Sequence, residues 1–321
     1  MKINQRVLFV ILLLVGIISV LWVSTYLYVN GSRKMNEDVK ISVIVYGSSS
    51  DRWVALRQGI DQGASDLSYQ VNFVTMVSDS DYEEQIELIE REIDNGADGL
   101  IIAASDSEKL SELIKDTAVN IPVVMVESNI SNGKGLTYLS ADNYSMGLNI
   151  GRSVILNSDK KRKIALLMEN HQRESVLDRY DGFMDSLQYS DFEIDLWERY
   201  EEDEDVDLFI EKKLKSSKVD IIVALDTETL ERVVESVSTY GFNGYVYGIG
   251  STNTIIHHLD YGLIKAIVYQ NEFNMGYISV RKLLNDDIKP RDFETEVDFR
   301  TINRETMYLP KNQRLVFPII Q

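Results

Sequence analysis

Residues 98–127, DGLIIAASDSEKLSELIKDTAVNIPVVMVE, decide the fold. The stretch begins and ends with a short apolar run, and the segment between the two runs has charged and apolar residues at helical spacing. A strand, a helix and a second strand in succession are typical of a crossover unit, in which the two strands are parallel. Because both runs are apolar without alternation, we expect helices to cover both faces of the sheet.

The same alternation extends through most of the chain. Before this stretch, KISVIVY (40–46) and QVNFVTM (70–76) predict strands, and a helical pattern follows each of them. After GLTYLSADN (135–143) the alternation restarts with KIALLME (163–169) and continues to GYVYGIG (244–250). No close internal sequence repeat is visible. We therefore predict an α/β fold with two doubly wound parallel-sheet lobes.

The composition limits the kinds of partner and chemistry. The formal net charge of −18 argues against a nucleic-acid partner, because binding to a phosphate backbone relies on clustered Lys and Arg. The chain has no cysteine, which excludes disulfides, thiolate zinc sites, cysteine nucleophiles and the acylated cysteine of a bacterial lipoprotein.

The first part of the chain predicts a membrane anchor. Residues 7–29, VLFVILLLVGIISVLWVSTYLYV, form an uncharged run that is longer than the ~20 residues needed to cross a bilayer. We predict a cytoplasmic tail (1–6), a single-pass anchor in the lipid bilayer (7–29) and a stalk (30–39), with the binding domain outside the cytoplasm. The alternative is a cleaved signal peptide with an unusually long apolar core.

Polar side chains follow the predicted strands, where open parallel sheets bind their ligands. Carboxylates, amides, an arginine and an indole are suited to a polyhydroxylated ligand, since each hydroxyl both donates and accepts hydrogen bonds. The candidates in these positions are Ser49, Ser50, Arg52, Trp53, Glu127, Asn129, Asp226 and Gln270.

Several motifs together resemble the type I periplasmic sugar-binding proteins of the ribose- and galactose-binding kind, which share their fold with the ligand-sensing cores of lactose-repressor-type regulators. The resemblance covers roughly residues 40–300. The motifs are SSSDRWVALRQGIDQGA (48–64), IPVVMVESN (121–129), SADNYSMG (140–147), ESVLDRYDGF (174–183), VALDTETL (223–230) and AIVYQNEFNMG (266–276).

The resemblance implies how the chain is divided. Three crossovers join the lobes, and the hinge lies near Asp142, Gly250 and Gln270. The N-terminal lobe is expected to comprise residues 40–141 and 271–296. The C-terminal lobe is expected to comprise residues 142–270 and 297–321, including the crossover strands.

The resemblance also implies roles for site residues. Ser49 and Ser50 stand at polar ligand positions, and Arg52 and Trp53 stand where the family usually places ring-stacking aromatics. Glu127 stands at the position of an acidic ligand residue, Arg179 at that of an arginine that grips ligand hydroxyls, and Asp226 and Gln270 at two further contact positions. In one respect the chain departs from the pattern: it has Gly248-Ile249-Gly250 where the family typically has Gly-Phe-Asp, so a carboxylate aimed at two ring hydroxyls is missing.

Structural explanations of the same residues stay open. Trp53 could be a core residue, and Arg179 could pair with Asp178 or Asp181 along its helix. Glu127 and Asp226 could each cap a turn or helix. As a pair they could also hydrolyse a glycosidic bond if their separation allowed it.

No other catalytic pattern is present, and we predict a protein that is not an enzyme and has no cofactor or metal. A DNA-binding repressor would begin with a helix-turn-helix rather than an apolar run. Two binding functions remain. The first is a sensory subunit that closes on a sugar and signals to a membrane partner such as a histidine kinase, which a permanent anchor favours. The alternative is the capture subunit of an ABC sugar importer, whose partner is a permease.

Overall fold

A computed structural model of the chain describes residues 16–24, 39–47, 51–78, 80–158, 162–199, 205–284 and 297–316. Residues 16–24 are helical, and they belong to a unit (1–39) separate from the compact unit formed by residues 40–321. None of the helices within the described ranges is both long and apolar enough to cross a membrane. Most of the predicted anchor (7–29), the tail (1–6) and nearly all of the stalk (30–39) lie outside the described residues.

The N-terminal lobe contains a five-stranded parallel sheet with the order β2-β1-β3-β4-β5. The helix α9, which comes from much later in the chain, packs against α1 and against strands β3 to β5. The elements of this lobe are β1 (Lys40–Val45), α1 (Val54–Leu67), β2 (Gln70–Thr75), α2 (Tyr82–Asp94), β3 (Gly99–Ile102), α3 (Ser111–Ala118), β4 (Val123–Val126), β5 (Thr137–Leu139) and α9 (Glu272–Leu283).

The C-terminal lobe contains a six-stranded sheet with the order β11-β10-β9-β8-β6-β7. All its strands are parallel except the edge strand β11, which pairs antiparallel with β10. The remaining elements are α4 (Asn143–Asn157), β6 (Lys163–Met168), α5 (Glu174–Leu187), β7 (Glu193–Glu198), α6 (Val206–Ser216), β8 (Ile221–Ala224), α7 (Thr227–Tyr240), β9 (Tyr245–Ile249), α8 (Asn253–Tyr261), β10 (Ile264–Gln270), β11 (Phe299–Ile302) and α10 (Pro310–Val316).

Each lobe has its own apolar core, as the continuous apolar strands predict. The core of the N-terminal lobe is built around Ile44, Ile102 and Met125, with Ile89 and Ile114 contributed by the covering helices. A corresponding core in the C-terminal lobe is built around β6, β8, β9 and β10 and includes the buried indole of Trp197. Two filled cores give two stable platforms whose strand ends can be brought together.

Glycines allow a close helix pair in each lobe. In the C-terminal lobe, a Cβ at Gly147 of α4 would overlap the carbonyl of Arg179, and a Cβ at Gly182 of α5 would overlap the carbonyl of Tyr144. In the N-terminal lobe, Gly59 and Gly276 make the same reciprocal contact between α1 and α9. The α4–α5 contact fixes the position of Arg179, and the α1–α9 contact fixes the helix that follows Trp53.

Two described segments carry the chain between the lobes. Asp142 caps α4, where its carboxylate accepts hydrogen bonds from the backbone N–H of Ser145 (2.9 Å) and from its hydroxyl (2.7 Å). The side-chain oxygen of Gln270, at the end of β10, accepts hydrogen bonds from the Ala141 N–H (3.2 Å) and the Ser140 hydroxyl (3.3 Å). Gln270 therefore ties one crossover to the other. Residues 285–296, which precede the third passage, lie outside the described part of the chain.

Candidate functional site

The carboxyl ends of the two sheets meet in a cleft between the lobes, and an ion pair crosses it. Glu127 follows β4 in the N-terminal lobe and Arg179 lies on α5 in the C-terminal lobe. The Arg179 Nη2 donates to the Glu127 Oε1 at 2.8 Å, and both side chains are 2 % exposed. The structure thus brings together two predicted ligand residues from opposite lobes.

Glu127 is held in an unusual backbone conformation. Its φ of 62° lies in the left-handed region, which costs a residue other than glycine roughly 1–2 kcal/mol. The carboxylate also accepts hydrogen bonds from the Tyr46 hydroxyl and the Ser175 hydroxyl. Burial alone would raise the pKa of Glu127, but the Arg179 and Arg52 guanidinium groups outweigh it, and the net pKa is lowered. Glu127 is therefore a buried carboxylate in its charged form.

Arg179 is fixed by three partners. Besides Glu127, its Nε donates to the Asn143 Oδ1 at 2.8 Å and its Nη1 donates to the Leu225 carbonyl at 3.2 Å. These three hydrogen bonds therefore go across the cleft, to α4 and to the end of β8 rather than to Asp178 or Asp181 along its own helix.

Arg52 and Trp53 lie on the N-terminal side of the cleft. The Arg52 Nε donates to the Glu228 Oε1 of the opposite lobe at 3.1 Å, and its Nη1 bonds to Glu272 at the start of α9. Its guanidinium also lies 4.1 Å from the centre of the Trp53 ring. The indole Nε1 of Trp53 donates to the Tyr46 carbonyl at 2.6 Å. Trp53 is thus buried in contact with protein groups, as a core residue would be.

A third arginine of the cleft, Arg173, lies in the C-terminal lobe at the start of α5. Its guanidinium carbon lies 3.4 Å from the centre of the Tyr46 ring, a close cation–π contact between the lobes. Its Nη1 lies 3.4 Å from the Glu228 Oε2, so Glu228 contacts both arginines. Burial would raise the pKa of Glu228, yet Arg52 and Arg173 reverse the effect and the net pKa is lowered.

Asp226 caps α7 and lies beside Glu228. Its two carboxylate oxygens accept hydrogen bonds from the Thr229 N–H (3.0 Å), the Thr229 hydroxyl (2.7 Å) and the Asn170 side-chain amide (3.2 Å). Burial, followed by the negative charge of Glu228, raises its pKa. Both carboxyl groups of the pair considered for glycoside hydrolysis are therefore occupied: Glu127 in an ion pair and Asp226 in a helix cap.

The other predicted contact residues differ in their surroundings. Asn129 is half-buried, and its side-chain oxygen lies close to Gly133 in the loop after β4. Gly250 has a φ of 144°, and a Cβ there would meet the side chains of Ile255 and Thr227. Ser49 and Ser50 lie outside the described residues.

The deep part of the cleft presents almost no surface to solvent. Taken over the whole residue, exposure is 0 % for Arg173, 1 % for Glu127, 2 % for Trp53 and 3 % for Asp226. Beside it, a cavity of about 290 Å³ is lined by residues of both lobes, including Val77 and Ser78 from the N-terminal lobe and Glu169, Asn170 and Arg199 from the C-terminal lobe. A small molecule can reach the deep side chains only if the lobes or these side chains move.

Sequence reasoning missed several members of the cleft. Tyr46 directly follows β1, so the rule about strand ends could have found it, and Glu272 follows the Gln270 crossover. Glu228 and Arg173 gave no comparable signal, because neither directly follows a strand and their partners Arg52 and Tyr46 belong to the opposite lobe. Among the described residues, no group of three His, Cys, Asp or Glu side chains is placed to hold a metal ion.

Residues 41–285 match the family model described as a periplasmic binding protein domain, which is most of the chain. The chain belongs to the periplasmic binding protein family. The resemblance noted from the sequence motifs is confirmed, and the family is one of ligand binders without enzymatic activity.

One curated relative of this binding protein is the ribose import binding protein RbsB of Bacillus subtilis (strain 168). The two are 26 % identical over 155 residues, which is 48 % of this chain and 49 % of the relative. The match therefore spans about half the length of the curated relative.

Solved structures share the fold over nearly their whole length. A carbohydrate transporter solute-binding protein from Agrobacterium radiobacter, in complex with D-arabinose, has a TM-score of 0.77 at 18 % identity and matches 87 % of this chain and 99 % of its own. The periplasmic component of an ABC-type sugar transport system from Hahella chejuensis has a TM-score of 0.74 at 24 % identity and matches 82 % of this chain and 99 % of its own. At these identities the likeness shows the α/β fold of two parallel-sheet lobes, as predicted.

Proposed function

We propose that this binding protein captures a neutral sugar or sugar-like polyol between its two lobes and delivers it to an ABC permease. The observation that carries the proposal is the ion pair across the cleft, because Glu127 and Arg179 bring a charged acceptor and a charged donor from opposite lobes to one point. Hydroxyl groups that both donate and accept hydrogen bonds can be inserted between such partners.

The balance of charge supports a neutral ligand. Arg52, Arg173 and Arg179 are matched by the carboxylates of Glu127, Glu228 and Glu272. Among the described residues, an added carboxylate or phosphate would find no buried arginine in the cleft without a carboxylate partner, and burying an unmatched charge is costly.

The relatives support import as the role. The curated relative is named as a ribose import binding protein, and several similar structures are described as components of sugar transporters. We therefore place import ahead of the sensory role. Gly250 stands where a family carboxylate is missing, so we do not assign ribose as the ligand.

A sensory role remains the second candidate, supported by the uncharged apolar run at residues 7–29. A permanent anchor followed by a short stalk suits a fixed membrane partner such as a histidine kinase. The neighbouring genes distinguish the two roles: a permease gene supports import, and a histidine kinase gene supports sensing. Mass spectrometry of the N-terminus of the protein isolated from membranes tests whether the run is kept.

The experiment that tests binding is a thermal-shift screen of the full chain against pentoses, hexoses, their phosphates, inositols and small amino acids. We expect an unphosphorylated sugar or inositol to raise the melting temperature, since a ligand that binds only the folded state stabilises it. No shift with any member, from a chain that melts cooperatively, would contradict the proposal. A shift with phosphates alone would contradict the neutral ligand.

A further inference from the structure

A network of contacting side chains crosses the cleft three times. It starts with Arg179 and Glu127, continues through Tyr46 and Arg173, and ends with Glu228, Arg52 and Glu272. The three crossings are the Arg179–Glu127 ion pair, the Arg173–Tyr46 stack and the Arg52–Glu228 ion pair. We call these seven residues the interlobe network.

At the centre of the interlobe network, the Arg173 guanidinium lies in a slot formed by the Tyr46 ring and the Glu228 carboxylate. The Tyr46 ring forms one face of this slot, with the Arg173 guanidinium carbon 3.4 Å from the ring centre. The Glu228 carboxylate forms one edge, 3.4 Å from the Arg173 Nη1. An aromatic face beside a carboxylate is a setting that favours a flat cation.

The slot lies where a ligand ring would be expected. Tyr46 follows β1 and Glu127, which bonds to the Tyr46 hydroxyl, follows β4, so both lie at the carboxyl edge of the N-terminal sheet. Tyr46 is 1 % exposed, with the Arg173 guanidinium over its ring and the Trp53 ring edge-on at 5.1 Å. In effect, Arg173 occupies a position in the cleft that an external ring could otherwise fill.

Backbone contacts hold the Arg173 loop against the opposite lobe. The Ser107 N–H donates to the Gln172 carbonyl at 3.0 Å, and the Glu174 N–H donates to the Ser107 hydroxyl at 2.9 Å. Residues on both sides of Arg173 are thus fixed to the N-terminal lobe, so its guanidinium enters the slot when the lobes close.

We propose that the slot between Tyr46 and Glu228 is a guanidinium-binding site that the chain fills with its own Arg173, so that the lobes close without a ligand. A ligand that uses the cleft then enters by displacing Arg173, a consequence that rests on the proposed function. Closure itself does not depend on that function, so the two ideas are tested separately.

Because the chain has no cysteine, two introduced cysteines give unique sites for spin labels. Val119 in the N-terminal lobe is 80 % exposed and Tyr189 in the C-terminal lobe is 95 % exposed, so Val119→Cys and Tyr189→Cys leave the cleft untouched. Double electron–electron resonance measures the distance between the two spin labels on the full chain in mild detergent, without sugar. The matched control is Arg57→Ala, which removes an exposed arginine whose ion pair lies within one helix.

The expected result is a single narrow distance distribution for the parent chain and for Arg57→Ala, and a longer, broader one for Arg173→Ala. Millimolar guanidinium chloride should shift Arg173→Ala back toward the parent distribution and leave the parent unchanged, while sodium chloride at the same concentration should not. Three results would each overturn the proposal. The distances in Arg173→Ala could equal those of the parent, the parent could show the long distances of open lobes, or guanidinium could fail to shorten the distances in Arg173→Ala.

If circular dichroism shows that Arg173→Ala does not fold, a second variant tests the proposal in its place. Arg173→Lys keeps the positive charge but loses the planar guanidinium, so we expect it to broaden the distance distribution as well. Distances in Arg173→Lys equal to those of the parent would overturn the proposal. If the parent is closed without sugar and no sugar binds, the guanidinium site stands and the proposed function fails.

Discussion

The guanidinium of Arg179 lies 2.8 Å from the carboxylate of Glu127, although the two residues belong to different lobes. Removing one partner leaves a buried charge without its counterion, which costs more than the pair itself contributes. Opening the lobes instead lets water solvate both groups. The pair is therefore suited to a cleft that alternates between two states, since neither closure nor opening gains a large free energy from it.

The first prediction concerns the coupling between these two residues. Arg179→Ala and Glu127→Gln should each lower the free energy of unfolding. The loss in the double variant should be smaller than the sum of the two single losses by at least ~1 kcal/mol. Urea unfolding of the four proteins measures this. The exposed Arg57–Asp61 pair is the control, whose coupling should not exceed about 0.5 kcal/mol. Equal couplings for the two pairs would contradict the buried contact.

The second prediction concerns pH and Asp226. Burial and the neighbouring Glu228 raise its pKa to about 7, while Arg173 partly opposes them. The folded chain then keeps a proton that the unfolded chain releases above a pH of about 4, so folding stability falls as the pH rises toward 7. The Glu228 pKa is lowered, so its titration lies below this range.

Asp226→Asn removes this titration and keeps an oxygen that can cap α7. We expect the melting temperature of the variant, relative to the parent chain, to rise by a few degrees between pH 5 and pH 8. Calorimetry at four pH values measures the difference. A difference that is flat or falls with pH would show that Asp226 is ionised throughout.

The third prediction concerns the close approach of α4 and α5. A Cβ at Gly147 or Gly182 would overlap backbone of the other helix, so neither helix can yield by moving a side chain. Gly147→Ala should lower the free energy of unfolding by about 3 kcal/mol, although alanine favours helices. Arg152→Ala, at an exposed position of the same helix, should change it by less than about 0.5 kcal/mol. A Gly147→Ala chain as stable as the control would rule out the close contact.

The fourth prediction concerns the missing carboxylate. Gly250 has a φ of 144°, and a Cβ would meet Ile255 and Thr227, so the backbone itself requires glycine. Gly250→Asp should therefore destabilise the chain by at least ~2 kcal/mol rather than supply the family carboxylate. Ser251→Asp adds the same charge one residue later and should be better tolerated. Thermal melts compare them, and equal melting temperatures would contradict the strain.

The fold could be predicted because its signals are local. Continuous apolar runs give the buried strands, and their alternation with helical patterns gives the parallel sheets. The sequence also carries a signal that relates the two lobes. Asp142 and Asn271 each cap a helix, and each is followed at the same spacing by Met-Gly, at Gly147 and Gly276. These glycines make equivalent contacts in the two lobes, so this short echo marks the related positions.

The candidate site could be predicted only in part. Strand ends and motif resemblance indicated Glu127, Arg179, Asp226 and Gln270, which the structure places at the cleft or its hinge. The contact that Glu127 and Arg179 make across the cleft depends on how close the lobes come, which no local pattern encodes. For this reason Arg173 gave no signal, although it is fully buried.

Calorimetric titration of the full chain with the sugar that gives the largest thermal shift tests whether the cleft binds a sugar. We expect saturable binding to the parent chain and to Arg57→Ala, with affinity at least about tenfold lower for Arg179→Ala, since a charged hydrogen bond is lost. Equal affinity in Arg179→Ala, or no heat of binding from a chain that melts cooperatively, would contradict a sugar-binding cleft between the lobes.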